Sequence, residues 1–356
     1  MKSCSSSLLF VLFPFLIAGQ PALAQDKSAA KSSEGEKPWY EKVKISGLLF
    51  GDAYYLSNHP DGTIRGQSGF WLRRGYLTVD SQLAESWSLR LRFEVNSPGD
   101  FKTQANLQPY VKDAYVARQF QNGEFQSGIV STPTWEFTEA FWGYRSVEKT
   151  PADLYRLGSA RDFGVAGKWS AQGGKIKLHG TVGNGPGIGS ETNKGKNLAI
   201  SAGFFPNPKL AFELYADSDD RPGRSDRTTY HAFLGFKTKA QRYGLQYLQQ
   251  DRQRPSGGDL RVRVASAYGV WKLTERGSLL ARFDRALDPN PEGDRIPYLV
   301  LSKNHEFNFF LVGFDWTVSS KIHFIPNVEL VRYRAQAGLP TPEDVAIGRL
   351  TLFVEF

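Results

Sequence analysis

Residues 87–96 read Trp-Ser-Leu-Arg-Leu-Arg-Phe-Glu-Val-Asn. Trp87, Leu89, Leu91, Phe93 and Val95 share one face, and Ser88, Arg90, Arg92, Glu94 and Asn96 share the other. A side-chain period of two is that of an extended strand, and the contrast between its faces means that they meet different surroundings. The same alternation returns in Lys175–Gly183, in Lys209–Asp217 and at the C-terminus, where Leu350, Leu352, Val354 and Phe356 oppose Arg349, Thr351 and Glu355. About sixteen such strands are expected, near 42–56, 69–83, 86–96, 108–120, 124–131, 161–171, 174–184, 196–205, 208–217, 227–238, 241–252, 260–273, 277–287, 304–317, 321–335 and 344–356.

The connections alternate strictly between short and long. Ala84-Glu85-Ser86, Gln121-Asn122-Gly123, Asn207-Pro208 and Lys239-Ala240 are short, whereas 57–68, 97–107, 132–160, 185–195, 218–226, 254–259, 288–303 and 336–343 are mostly much longer. In a meander every second connection lies at the same end, so one end is trimmed and the other elaborated. The expected fold is all-β: a transmembrane antiparallel up-and-down β-barrel over 41–356, with short periplasmic turns and long extracellular loops. Pairing the last strand with the first removes every unpaired backbone row, as lipid requires. A barrel of about sixteen strands is too wide for side chains to fill and leaves an aqueous channel.

Composition agrees. The 356 residues have a mean hydropathy of −0.39, which excludes a bundle of helical spans. The one long apolar run, Leu8 to Ala18, follows Lys2 and precedes Ala22-Leu23-Ala24, so 1–24 reads as a secretory signal peptide and 25–40 as a flexible periplasmic leader. Cys4, the only cysteine, lies in the signal. The exported chain of 356 − 24 = 332 residues therefore has no disulfide framework or thiolate site. Its net charge is 43 − 36 = +7, yet it holds no Lys/Arg block of the nucleic-acid-binding kind, and no nucleic-acid partner is expected.

A soluble β-sandwich or propeller also alternates, but its inner face fills a dry core. Arginines on the polar face would each need a partner there, whereas a wet bore demands none. Trp87, Trp169, Trp271 and Trp316 stand beside short turns, as at a bilayer boundary. By parity, the bore-lining bases are Arg74, Arg90, Arg92, Lys175, Lys177, Arg242, Arg261, Arg263, Arg282 and Arg349. The matching acids are Asp80, Glu94, Asp162, Glu213, Asp284, Asp315 and Glu329, and the excess of bases points to a weak anion preference. Strict alternation turns Arg73 and Arg332 toward lipid, which requires a rim position or a bulge, and Trp271 breaks the parity of its strand.

The stretches Phe70–Val79, Trp87–Glu94, Val111–Val116, Arg161–Val165 and Val182–Gly185 resemble the phosphate-selective porin O and P family. The terminal Phe356 resembles the aromatic C-terminus that outer-membrane proteins present to the barrel-assembly machinery. The resemblance implies a homotrimer in a Gram-negative outer membrane, among outer-membrane lipid and lipopolysaccharide. It implies passive diffusion of small hydrophilic or anionic solutes, with the third outside loop folded inward as a constriction. The third long connection here, 132–160, is the longest and carries Glu136, Glu139, Arg145, Glu148, Lys149, Asp153 and Arg156, a balance of 3 − 4 = −1. The lysine cluster of phosphate-specific members maps onto no particular residues, so phosphate specificity is not carried over.

Trp135, Phe137, Phe141, Trp142, Tyr144 and Tyr155 crowd that loop, and anchoring it to the wall is the favoured reading over a sliding surface for solutes. The rival functions are an adhesin or receptor and a lipid-modifying enzyme. His59, His179, His231, His305 and His323 lie in no recognisable nucleophile motif, so no catalytic residue, enzyme activity or cofactor is expected. Asp217-Ser218-Asp219-Asp220 has an incomplete calcium-ligand set and reads as a solvated acidic loop, with no metal expected.

Overall fold

A computed structural model describes residues 38–356 apart from Ala105 and Pro186; the expected signal peptide and most of the leader lie outside the described residues. Sixteen strands follow a short turn at Trp39–Lys42: β1 Val43–Asn58, β2 Ser68–Ala84, β3 Trp87–Val95, β4 Tyr110–Phe120, β5 Gly123–Ser131, β6 Arg161–Ala171, β7 Ile176–Gly183 and β8 Asn197–Asn207, then β9 Leu210–Asp219, β10 Arg227–Lys237, β11 Gln241–Arg252, β12 Leu260–Lys272, β13 Gly277–Ala286, β14 Phe307–Ser319, β15 Ile322–Tyr333 and β16 Val345–Glu355. Each corresponds to an expected segment. Every strand pairs antiparallel with its neighbours in sequence, and β16 returns to β1 to close the barrel. At the seam, Gly47 and Phe356 exchange backbone N–H···O bonds of 3.0 and 2.9 Å.

The faces are inverted relative to a soluble protein. On β9, Glu213 is 2% exposed and Leu214 is 66% exposed. Leu49, Leu77, Leu245, Val312 and Val328 likewise stand out from other strands, and Trp87, Trp169 and Trp316 are exposed beside the short turns. An apolar band of this extent around a closed cylinder is stable only against lipid, with tryptophans at its edge.

Two bulges add charge to the interior. Phe50 pairs with Arg74 and Gly51 with Leu72, so Arg73 is an extra residue with no opposite number on β1. Arg92 pairs with Asp113 and Phe93 with Val111, which makes Lys112 extra in the same way. A bulge lets two successive side chains reach one face. Arg73 therefore turns inward, where it is buried, and Lys112 joins Asp113 on the inner wall. Arg332 takes the other course: it is exposed at the end of β15, 3.6 Å from Asp344.

Arg261 and Arg263 correct the parity assignment, because both point outward. β12 pairs with β11 and β13 without irregularity, and the buried inner residues are Val262, Val264 and Ser266. The parity break at Trp271 is thus no bulge; its orientation is the strand's true one, and the two arginines were on the wrong face. They sit near the long-loop end, Arg261 2.6 Å from Asp251 and Arg263 2.7 Å from Asp288.

The wet interior expected from the polar inner face is dry over part of its wall. The core lies inside the cylinder, where Leu248, Val264, Leu280, Phe309, Leu311 and Ile347 on the inner face of β11–β16 pack against two loops. One is 132–160, through Trp142, Val147, Leu154 and Tyr155; the other is 287–306, through Ile296, Tyr298, Leu299 and Leu301. Placing Arg on the outer wall halfway along β9, as Leu214→Arg, is expected to cost about 2–4 kcal/mol. Arg263→Leu, at the rim, leaves stability unchanged; urea unfolding of the barrel in bilayers measures both.

Candidate functional site in the bore

The loop 132–160 leaves β5 and crosses the interior. Thr134 meets the Tyr215 hydroxyl at 2.9 Å, and helix α1 follows at Glu136–Trp142. Gly143 ends α1 with φ 71° and donates its N–H to the Glu139 carbonyl at 2.9 Å. A Cβ at Gly143 would lie 2.6 Å from the Arg242 guanidinium, so both backbone conformation and space select glycine. Helix α2, Pro151–Leu154, starts on a proline, whose missing N–H costs nothing in a first turn. Trp142 and Tyr155 are fully buried; the Tyr144 hydroxyl donates to Asp315 at 3.1 Å and that of Tyr155 to Asp284 at 2.7 Å. The aromatics anchor the loop, as the sequence favours, although Phe137 stays only partly covered.

Three interior arginines hold the loop as well. The guanidinium of Arg73 donates to the carbonyls of Val147 at 2.5 Å and Ser146 at 3.1 Å. Glu148, completely buried, lies 3.6 Å from both Arg73 and Arg349 and accepts from the Tyr298 hydroxyl at 2.8 Å. Arg349 also donates to Glu329 at 2.5 Å. Arg282 donates to Asp284 and to the Lys149 carbonyl. Arg282 and Arg349, expected to line the bore, are therefore buried fasteners between wall and loop.

The open space lies on the other side. Between the loop and the inner face of β1–β6 is a cavity of about 1120 Å³, reaching the short-turn end at Lys321 and Phe356. Its lining carries nine bases (Lys44, Arg90, Arg92, Lys112, Arg145, Arg161, Lys168, Arg242 and Lys321) against five acidic side chains (Asp113, Glu136, Glu139, Asp315 and Glu355), an excess of 9 − 5 = +4. Arg90 binds Asp80 through two bonds of 2.6 and 2.9 Å. Arg92 reaches Asp113 at 3.2 Å, Arg74 reaches Glu94 at 2.9 Å, and Lys112 also pairs with Glu94. Arg74, Arg92 and Lys112 surround the Tyr76 ring at 5.8, 5.5 and 5.3 Å.

Across the cavity, Arg145 bridges Glu139 at 2.8 Å and Asp153 at 2.9 Å, and Lys149 lies 3.7 Å from Asp153. Burial pushes the Glu139 carboxyl above its ordinary range against the pull of Arg145, and burial lowers the Lys149 ammonium against the pull of Asp153. Glu136 holds Lys168 at 2.6 Å. Arg156 lies apart, lining a hollow of about 40 Å³ with Asp162, Asp217 and Asp219, which shares Thr132 with the large cavity. Asp217 and Asp219 are buried at the end of β9, which corrects their reading as a solvated loop. Among the described residues, no group of three or more His, Cys, Asp or Glu could hold a metal. Lys177 stands at the mouth over Phe205, and Lys175 lies in the turn before β7.

Sequence reasoning missed Lys44, Lys112, Arg161, Lys168 and Lys321. Lys168 lies six residues from Asp162 on one strand, so parity could have placed it inward. Lys112 is inward only through the bulge, and Arg161 reaches Asp113 from the first position of β6.

No family model and no curated protein matches the chain by sequence. Its fold, however, matches solved outer-membrane structures. An anion-selective porin from Comamonas acidovorans aligns over 88% of this chain and 99% of its own, with a TM-score of 0.65 and 12% identity. Outer-membrane-expressed OmpT of Vibrio cholerae aligns over 88% and 97%, with a TM-score of 0.62 and 12% identity. The outer-membrane channel DcaP of Acinetobacter baumannii aligns over 88% and 97%, with a TM-score of 0.60 and 14% identity. The chain thus has the fold of the outer-membrane porins. The expectation of no enzyme activity is corrected: the neighbours include OmpT beside the porins, and the barrel alone is compatible with catalysis or with transport.

Removing Arg349 leaves Glu148 and Glu329 short of a buried cation. Arg349→Met is expected to lower stability by about 3–5 kcal/mol, and adding Glu329→Leu to recover most of it. The urea midpoints of the two variants in bilayers decide this.

Proposed function

We propose that this barrel is an outer-membrane channel through which small hydrophilic solutes diffuse, with a preference for anions. The observation that carries the reading is the cavity beside loop 132–160, whose lining bases outnumber its acids nine to five. A charged lining in a narrow tube with low-dielectric walls focuses the field and enriches the opposite ion. The inserted loop is the constriction, and solutes pass between it and the inner face of β1–β6. Arg90 and Arg92 on the wall, with Arg145 on the loop, set the local potential, each tempered by its carboxylate partner.

The same proposal includes export by the 1–24 signal, assembly through Phe356, and a homotrimer among outer-membrane lipid and lipopolysaccharide. The trimer form known for OmpT of Vibrio cholerae supports the oligomeric part, and the motifs quoted above support kinship with the phosphate-selective O and P porins. The test is a planar-bilayer recording of the purified protein. Stepwise openings and a reversal potential of anion sign under a salt gradient are expected. Arg90→Gln/Lys168→Gln should move that potential toward zero, because both partners, Asp80 and Glu136, are part-exposed and tolerate the loss. A folded protein that stays silent, or one with cation sign, overturns the reading.

A further inference from the structure

Ion pairing differs between two parts of the barrel. On the β2–β6 side the cations are neutralised: Arg90 by Asp80, Arg92 and Arg161 by Asp113, Lys112 by Glu94, and Lys168 by Glu136. At three consecutive short turns, those joining β6 to β7, β8 to β9 and β10 to β11, they are not. Lys175, Lys209 and Lys237 are exposed there, and among the described residues no carboxylate lies within ion-pair reach of any of them. The segments 171–177, 204–211 and 236–243 hold no Asp or Glu at all.

These lysines border a groove of about 420 Å³ that Phe141, Phe205 and Pro206 also line. Phe141 belongs to α1, so the groove runs from the inserted loop to the mouth. Phe205 is only half-buried; the edge of Phe137 meets it at 5.2 Å, and the Lys177 ammonium lies 5.2 Å from its centre. Three like charges gathered without a counter-charge repel one another, and a ligand that brings negative charge relieves this. An inorganic anion makes no use of the rings, and a neutral aromatic makes no use of the lysines. A molecule with both parts uses the whole groove, whose volume is that of a small-molecule site.

We propose that this groove binds a small aromatic carboxylate, its ring against Phe205 and Phe141 and its carboxylate among Lys175, Lys209 and Lys237. The inference deepens the channel reading and rests on it for placing the groove on a solute path; binding itself is measured without conduction. The probe is 2-naphthoate, added to the full-length protein in detergent and followed by titration calorimetry and saturation-transfer NMR. Naphthoate is expected to bind, while 2-naphthylmethanol and acetate at equal concentration do not. Lys175→Gln/Lys209→Gln/Lys237→Gln should weaken binding at least about tenfold. Lys272→Gln, on a different turn, should leave it unchanged, and circular dichroism confirms that both variants fold. No binding, or equal binding by the alcohol or by the triple variant, overturns the proposal. A protein that conducts but ignores naphthoate refutes the site and spares the channel; one that binds naphthoate but never opens refutes the channel and spares the site.

Discussion

A hydrocarbon surrounding cannot hydrogen-bond to a peptide group, so every backbone N–H and C=O in the wall must find its partner within the sheet. The return of β16 to β1 satisfies that demand around the whole circumference. Closure also decides where polarity goes. With the outside given over to Leu, Val and Phe, the inner face receives the charges, and the pleat allows no third place for them. Charges on the outer wall lie toward strand ends: Arg261, Arg263 and Arg332 each stand beside a carboxylate, and Arg118 lies over the Trp87 ring.

The interior that results is divided rather than uniformly open. On the β11–β16 side, apolar residues face inward because two loops enter and cover them. The charged groups trapped at that contact, Arg73, Glu148, Glu329 and Arg349, are costly to bury but strongly directional. They fix the loop 132–160 against one half of the wall and so leave the space beside the other half. Position of the opening is thus a consequence of packing on the opposite side. The bases that face this opening are mostly matched by carboxylates, and the unmatched ones gather at the mouth.

The sixteen strands were legible because alternation survives wherever one face meets lipid; Trp87–Val95 follows it throughout, and Leu210–Asp219 departs from it only at Ala211 and Ser218. The longest outside loop and its aromatic anchors were legible for a similar reason, since so many rings in one connection need an apolar footing. Arg261 and Arg263 were misread because the inner face of β12 is apolar: Val262 and Val264 look toward loop residues far away in sequence, and nothing local says so. Lys112 and Arg73 were unreadable as lumen residues because a bulge is a mismatch between two strands, visible only once both are paired.

The order of residues along the chain alone therefore determined the closed transmembrane sheet, its two unequal ends and which connection is longest. Those are local properties, set by period and by turn length. Tertiary structure alone decided which half of the bore is packed, which arginines fasten the loop and which face solute. These depend on contacts between positions as distant as Glu148 and Arg349, whose proximity no local pattern encodes.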